Sequence, residues 1–157
     1  MSLKPIPEAL PVITPHLVVG DAARAIELYA AALGAREIYR MPGPDGRRIL
    51  FSELMIGDAR LFVVDEFPEQ GALSPLTLGG SPVALHLYVA DVDGAYRRAV
   101  DAGMTVDIPL ADFFWGERYA LLRDPFGHRW GLASRTEDLS PSQIRERAVA
   151  FYGKNRA

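Results

Sequence analysis

An internal repeat constrains this chain more than any other feature of its sequence. Shifting the sequence by 70 residues places His16 on His86 and Asp21 on Asp91. A fixed offset of this kind is the signature of a duplicated supersecondary unit, so the chain is predicted to contain two copies of one unit. The other identical pairs are Leu17/Leu87, Val19/Val89, Ala25/Ala95, Ala32/Ala102, Ile38/Ile108, Gly46/Gly116, Arg48/Arg118 and Gly57/Gly127.

Each copy is predicted to contain one strand, one helix and then three strands. In the first copy Asp21 can cap the N-terminus of the helix, and Gly34 stands where a C-terminal glycine cap belongs. Alternating or continuous apolar runs between turn residues indicate the strands. The predicted strands are 12–19, 35–41, 49–56 and 60–64, then 83–89, 104–108, 118–123 and 129–134.

These elements predict a single α+β domain over residues 1–157. It comprises two fused βαβββ modules at 12–64 and 83–135, a Pro- and Gly-rich linker at 65–82, and a C-terminal helix at 140–152. One helix covers only one face of a four-stranded sheet. We therefore expect the two uncovered faces to form a shared cavity that binds a small molecule.

The amino-acid composition limits the binding partners and the cellular compartment that we expect for this protein. The chain has no cysteine, which excludes disulfides and thiolate metal ligands and fits a cytoplasmic location. The net charge is −3 without a basic stripe, so a nucleic-acid partner is not expected. No apolar run reaches the roughly 20 residues that a membrane span needs, so we expect no membrane partner.

Several segments resemble one known superfamily. Residues 15–19 with 25–29, and residues 89–93 with 102–103, resemble the first strand and helix of the two modules in the glyoxalase/bleomycin-resistance/dioxygenase superfamily. Residues 114–119 and 124–130, the last reading Asp-Pro-Phe-Gly-His-Arg-Trp, are similar to its PhnB-like branch. The resemblance to this superfamily, which is also called vicinal-oxygen-chelate, covers residues 12–135 of this chain. The resemblance implies the paired βαβββ fold and a homodimer, because this fold commonly pairs modules across subunits. It does not fix the reaction, since members include metalloenzymes and metal-free antibiotic-sequestering proteins.

The resemblance also implies where metal ligands would stand. The superfamily uses four side chains, typically His or Gln and Glu, one from each of four strands. The aligned positions here are Thr14, Ala84, Gly131 and, in the first module, Leu61 or Val63. None is one of the usual ligands, so neither the usual four-ligand site nor a cofactor is predicted.

A rebuilt metal site remains an alternative. Strand alternation places His16 and His86 on the faces that point away from the helices. These histidines could hold a divalent metal if Glu53, Asp65 or Glu66 helped, or they could be hydrogen-bonded residues of a pocket.

The segment 113–119 combines aromatic residues with one cation. Aromatic rings beside Arg118 suit a planar or anionic ligand, because guanidinium binds carboxylate at two points. An ordinary structural role for these residues is the rival interpretation. The predicted ligand-binding residues are His16, Glu53, His86, Trp115, Arg118 and Tyr119.

Two functions follow from these observations. The first is binding of a small, aromatic or anionic molecule between the modules without the usual metal site. The alternative is an enzyme of the lyase, isomerase or dioxygenase-like kind. It would use a rebuilt metal site or metal-free acid–base catalysis by His16 and His86.

Overall fold

The computed structural model describes residues 5, 7, 8 and 10–154. The first module contains β1 (His16–Val19), α1 (Ala22–Leu33), β2 (Arg36–Pro42), β3 (Ile49–Ile56) and β4 (Ala59–Asp65). A 3-10 turn (Pro68–Gln70) and the short helix α2 (Pro75–Leu78) follow. The second module contains β5 (Ala84–Tyr88), α3 (Val92–Asp101), β6 (Thr105–Phe113), β7 (Glu117–Arg123) and β8 (Arg129–Arg135). The last helix is α4 (Pro141–Lys154).

The two modules share one topology. The sheets have the strand orders β1-β4-β3-β2 and β5-β8-β7-β6. The first strand of each module runs parallel to the last, and the remaining pairs are antiparallel. The predicted α+β fold, with two βαβββ modules and a C-terminal helix, is confirmed.

Local capping explains why the helices begin at these residues. The Asp21 carboxylate accepts the backbone N–H of Arg24 at 3.0 Å, and the Asp91 carboxylate accepts that of Gly94 at 2.9 Å. Each bond satisfies one of the helix's free N–H groups. At α4 the Ser140 hydroxyl accepts the Gln143 N–H, while the Gln143 side chain accepts the Ser140 N–H at 2.8 Å. This reciprocal pair is the capping box that the sequence predicts.

The helices join the two modules. Helix α1 packs against α3, and one continuous cluster of buried apolar side chains draws on both modules. Trp130 of β8 lies in this core with its ring 5.1 Å from that of Tyr29. The imidazole Nε2 of His128 lies 3.0 Å from the carbonyl oxygen of Val18, which links the modules at their strand ends.

Two strands differ from the prediction. Strand β1 begins at His16 rather than at residue 12, and Val12 and Ile13 are exposed. Proline at positions 11 and 15 removes ladder N–H donors from this segment. Strand β6 continues to Phe113 rather than ending at 108, because a tight turn joins it directly to β7.

Each sheet keeps one face free of helices. We name the face of the first module that carries His16 the first open face, and the face of the second module that carries His86 the second open face. Large side chains are exposed there, including Tyr39 and Tyr88. Cavities of about 120 and 240 Å³ lie between the modules, and His86 lines the smaller while His16 lines the larger.

Within the described residues, none of the helices is both long and apolar enough to cross a membrane.

Candidate functional site

A carboxylate surrounded by aromatic rings marks the second open face. The side chain of Glu117 is only 14% exposed. Its Oε1 accepts the hydroxyl of Tyr88 at 2.7 Å, and its Oε2 accepts the indole N–H of Trp115 at 2.9 Å. The imidazole Nε2 of His86 lies 4.0 Å from Oε2.

The rings around Glu117 touch one another. His86 stacks on Tyr119 with ring centroids 5.5 Å apart and planes 13° apart, and it contacts Tyr88 at 4.7 Å. Phe113 stacks on Trp115 at 4.4 Å and meets Tyr119 edge-on at 5.7 Å. We name His86, Tyr88, Phe113, Trp115 and Tyr119 the aromatic cluster.

Strand alternation and one turn assemble this cluster. His86 and Tyr88 are two residues apart on β5, and Glu117 and Tyr119 are two apart on β7, so each pair shares a face. Gly116 adopts φ of +86° in the turn between β6 and β7, a conformation that glycine adopts readily. This turn places Trp115 beside the last residue of β6, Phe113.

Gly131 lies directly beneath the stacked pair. It is the β8 partner of His86 in the parallel ladder. A Cβ built on Gly131 would be 2.9 Å from Cε2 of Tyr119 and 3.2 Å from Nδ1 of His86. The resemblance assigns a metal-binding glutamate to this position, and the rings of Tyr119 and His86 fill that space instead.

The matching position of the first module is Phe62. It is the β4 partner of His16, and the two rings meet edge-on at 6.0 Å. The sequence alignment to Leu61 or Val63 is wrong by one residue, because both of these side chains are buried on the helix-facing side. Phe62 provides no metal-binding atom either.

The carboxylates that could have rebuilt a metal site have other partners. Glu53 pairs with Arg60 at 2.5 Å. Asp65 is buried and accepts the N–H groups of Ala22 and Ile49 at 2.7 and 2.6 Å. Glu66 accepts the backbone N–H of Ser74, and this bond lowers the pKa of the carboxyl.

The side chains present therefore do not fit the superfamily's divalent ion. Across residues 10–154 and the three described residues before them, no three His, Asp or Glu side chains are grouped to hold a metal.

The structure does not bring Arg118 to the second open face. It lies between Glu117 and Tyr119 on β7, so its side chain points to the opposite, helix-covered side. There its guanidinium binds Asp93 of α3 through two 2.9 Å bonds and Asp112 at 3.3 Å. Arg118 is therefore not placed to bind an anionic ligand on the second open face.

The six residues predicted for ligand binding therefore fall into three places. His86, Trp115 and Tyr119 come together in the aromatic cluster. His16 and Glu53 lie on the first open face, and Arg118 lies on the helix side of the second sheet.

Sequence reasoning placed Phe113 in the aromatic segment 113–119 but gave no binding role to Tyr88. The period-two alternation from His86 is the signal that could have found Tyr88.

The phenols of the cluster are hydrogen-bond donors at neutral pH. The hydrogen bond that Tyr88 donates to Glu117 raises the pKa of Tyr88, because this bond stabilises the protonated phenol. Burial raises the pKa of Tyr119 by disfavouring its charged form. Beside these protonated phenols lie the imidazole of His86 and the carboxylate of Glu117.

Comparison with known proteins agrees with this architecture. Residues 10–132 match the model of the Glyoxalase/Bleomycin resistance protein/Dioxygenase superfamily, and the chain belongs to that superfamily. The protein Mb0911c of Mycobacterium bovis is 42% identical over 137 residues, which cover 85% of this chain and 90% of that protein.

Two solved structures show the same fold. A glyoxalase/bleomycin resistance protein/dioxygenase from Nocardioides is 27% identical with a TM-score of 0.62, over 83% of this chain and 87% of that one. The PhnB protein from Bacillus cereus has a TM-score of 0.61 over 79% of this chain and 99% of that one. At 12% identity, the second likeness concerns the fold alone.

Proposed function

We propose that this protein binds a small aromatic molecule on its second open face without a metal ion. The observation that carries the proposal is the position of Gly131. Where a metalloenzyme of this superfamily has a carboxylate ligand, this chain has no side chain, and Tyr119 and His86 stack over the gap. The face thus offers flat apolar surface in place of metal-binding oxygen atoms.

The chemistry of the cluster supports an aromatic ligand. Rings interact best in offset-stacked or edge-to-face arrangements, and each such pair adds roughly 0.5–1.5 kcal/mol beyond area burial. Tyr88, Trp115 and Tyr119 present such surfaces beside polar groups that can fix a ligand's orientation. Binding sites commonly combine apolar walls with a few well-placed polar groups.

A thermal-shift screen of aromatic metabolites and drugs tests this proposal. A ligand at one hundred times its dissociation constant should add about 2.7 kcal/mol to the stability. Trp115→Ala and Tyr119→Ala should weaken binding of every hit. Tyr96→Ala, which removes a half-buried ring on α3, is the matched control and should leave binding unchanged. Hits that bind all three variants equally would place the site elsewhere.

We also propose that the protein is a homodimer in the cytoplasm. Both open faces expose large side chains, among them Tyr39, Met41, Tyr88 and Ile108. Burying the first open face of one protomer against the second open face of its partner would remove this surface from water and enclose the ligand. Light scattering should give twice the 17.2 kDa chain mass at micromolar concentration. A mass of one chain would contradict the dimer.

Metal-free acid–base catalysis is the second candidate function. One observation favours it: His86, with a side chain 40% exposed, lies 4.0 Å from Glu117, and this pair could exchange a proton with a bound molecule. His16, the other histidine considered, lies on the first open face. If a ligand from the screen is turned over, His86→Asn should abolish turnover even at ligand concentrations that saturate the variant. Turnover that persists in His86→Asn would show that His86 does not take part in catalysis.

A further inference from the structure

We infer that the ligand of the second open face is an aromatic cation, a flat ring system that carries a positive charge. This inference rests on the proposed function and adds the charge of the ligand. Its basis is the environment of Glu117, the carboxylate at the centre of the aromatic cluster.

Glu117 has neutral hydrogen-bond donors and, among the described residues, no ion pair with an arginine or lysine. Tyr88 and Trp115 each donate one hydrogen bond to it. A carboxylate has about four lone-pair positions, so about two remain available to a ligand. Within the described part of the chain, no Arg or Lys nitrogen comes within 4.0 Å of this carboxylate, and His86 at 4.0 Å is its one basic neighbour.

The nearby arginines have other partners. Arg135 stands opposite Glu117 in the β7–β8 ladder, but its guanidinium binds Asp138 at 2.5 Å. Arg129, farther along β8, lies 3.7 Å from Asp107. The negative charge of Glu117 is therefore not neutralised by an ion pair. A carboxylate only 14% exposed without a cationic partner is costly, and a bound cation would reduce that cost.

The aromatic rings around Glu117 also favour a positively charged ligand. The face of an aromatic ring attracts a cation within about 6 Å of its centroid, most strongly for Trp and then Tyr. Trp115, Tyr88 and Tyr119 lie around Glu117 and include both residue types. A ring system with a quaternary nitrogen could stack on these side chains while its charge lies beside the carboxylate.

A matched pair of probes tests the inference. N-methylquinolinium is a flat aromatic cation, and quinoline is its neutral counterpart near pH 7.5. Calorimetric titration of the full chain should show the cation binding at least about tenfold more tightly, a difference of 1.4 kcal/mol. In Glu117→Gln the two affinities should converge, with the affinity for quinoline retained. Retained quinoline binding also shows that the variant is folded.

Glu27→Gln on the exposed surface of α1 is the control, because it removes the same charge far from the cluster and should preserve the preference. Equal affinities in the unmodified protein, or a preference that persists in Glu117→Gln, would overturn the inference and leave the proposed function intact. Binding of neither probe at millimolar concentration would overturn both.

Discussion

The hydroxyl of Tyr29 in the first module donates a hydrogen bond of 2.6 Å to the carboxylate of Asp124 in the second module, 95 residues away. Tyr29 is fully buried and Asp124 is 3% exposed. The same oxygen of Asp124 accepts the indole N–H of Trp130 at 2.9 Å, and the other oxygen accepts the N–H groups of Phe126 and His128. The Asp-Pro-Phe-Gly turn of the second module is thus fastened to the helix of the first.

Tyr29→Phe should destabilise the fold by about 1.5–3 kcal/mol, the usual worth of a hydrogen bond to a charged group. The change removes one donor from a buried carboxylate and leaves the ring in place. Denaturant unfolding measures the loss. Tyr96→Phe is the control, because the described part of the chain gives the Tyr96 hydroxyl no hydrogen-bond partner. Equal losses in both variants would show that the link between modules contributes little.

Gly131→Ala should weaken ligand binding and also lower the stability of the fold. The new methyl group would lie 2.9 Å from the ring of Tyr119, which must move aside and break its stacking on His86. We expect at least a several-fold loss of affinity together with about 1–3 kcal/mol of lost stability, the usual cost of adding a methyl group to packed surroundings. Gly20→Ala is the control, since its added Cβ meets no atom within 4 Å. Unchanged affinity in Gly131→Ala would show that the ligand does not bind over Gly131.

Lowering the pH should remove the contribution that Asp45 makes to the stability of the folded state. Backbone N–H groups of Arg47 and Arg48 and the Arg48 side chain lower the pKa of Asp45 from 3.8 to about 2. A carboxyl group with a lower pKa in the folded state than in the unfolded state stabilises the fold at any pH above its unfolded-state pKa. This contribution is lost as the pH falls through the folded-state pKa. The melting-temperature gap between unmodified protein and Asp45→Asn should narrow between about pH 5 and pH 2. Asp58→Asn, an equal charge change in the β3–β4 turn, controls for general effects, and a constant gap would contradict the assignment.

The ordinary four-ligand glyoxalase reaction should not occur on this protein. That chemistry requires a divalent ion to polarise the substrate oxygens and a carboxylate to move the proton. Gly131 and Phe62 provide neither at the two ladder positions beside the histidines. The assay is conversion of the hemithioacetal of methylglyoxal and glutathione with added nickel, zinc or cobalt. Turnover on the order of 10 per second that chelation abolishes would refute this expectation.

Local signals made the fold predictable from the sequence. Asp21, Asp91 and Gly34 specify helix ends through hydrogen bonds and backbone conformation that depend on neighbouring residues alone. Alternation correctly assigned Leu17 and Val19 to the buried side of β1. These features need no knowledge of distant contacts, and the repeat supplied the capping aspartate twice.

The site was less predictable because it depends on strand register. Phe62 follows His16 by 46 residues, whereas Gly131 follows His86 by 45, so a constant offset of 70 misassigns one strand by one residue. A shift of one residue moves a side chain to the opposite face of a sheet. The same alternation separates Arg118 from Tyr119, which the sequence alone had grouped in one pocket.

The central claim, aromatic ligand binding beside Trp115 without a metal, is tested most directly by fluorine NMR. Protein labelled with 5-fluorotryptophan should show two resonances, because Trp115 and Trp130 are its two tryptophans. With a chelator present, N-methylquinolinium or a ligand from the screen should shift the Trp115 resonance, identified through Trp115→Phe, and leave that of the buried Trp130 unchanged. A shift that appears only after zinc or nickel is added, or that affects Trp130 alone, would contradict the account.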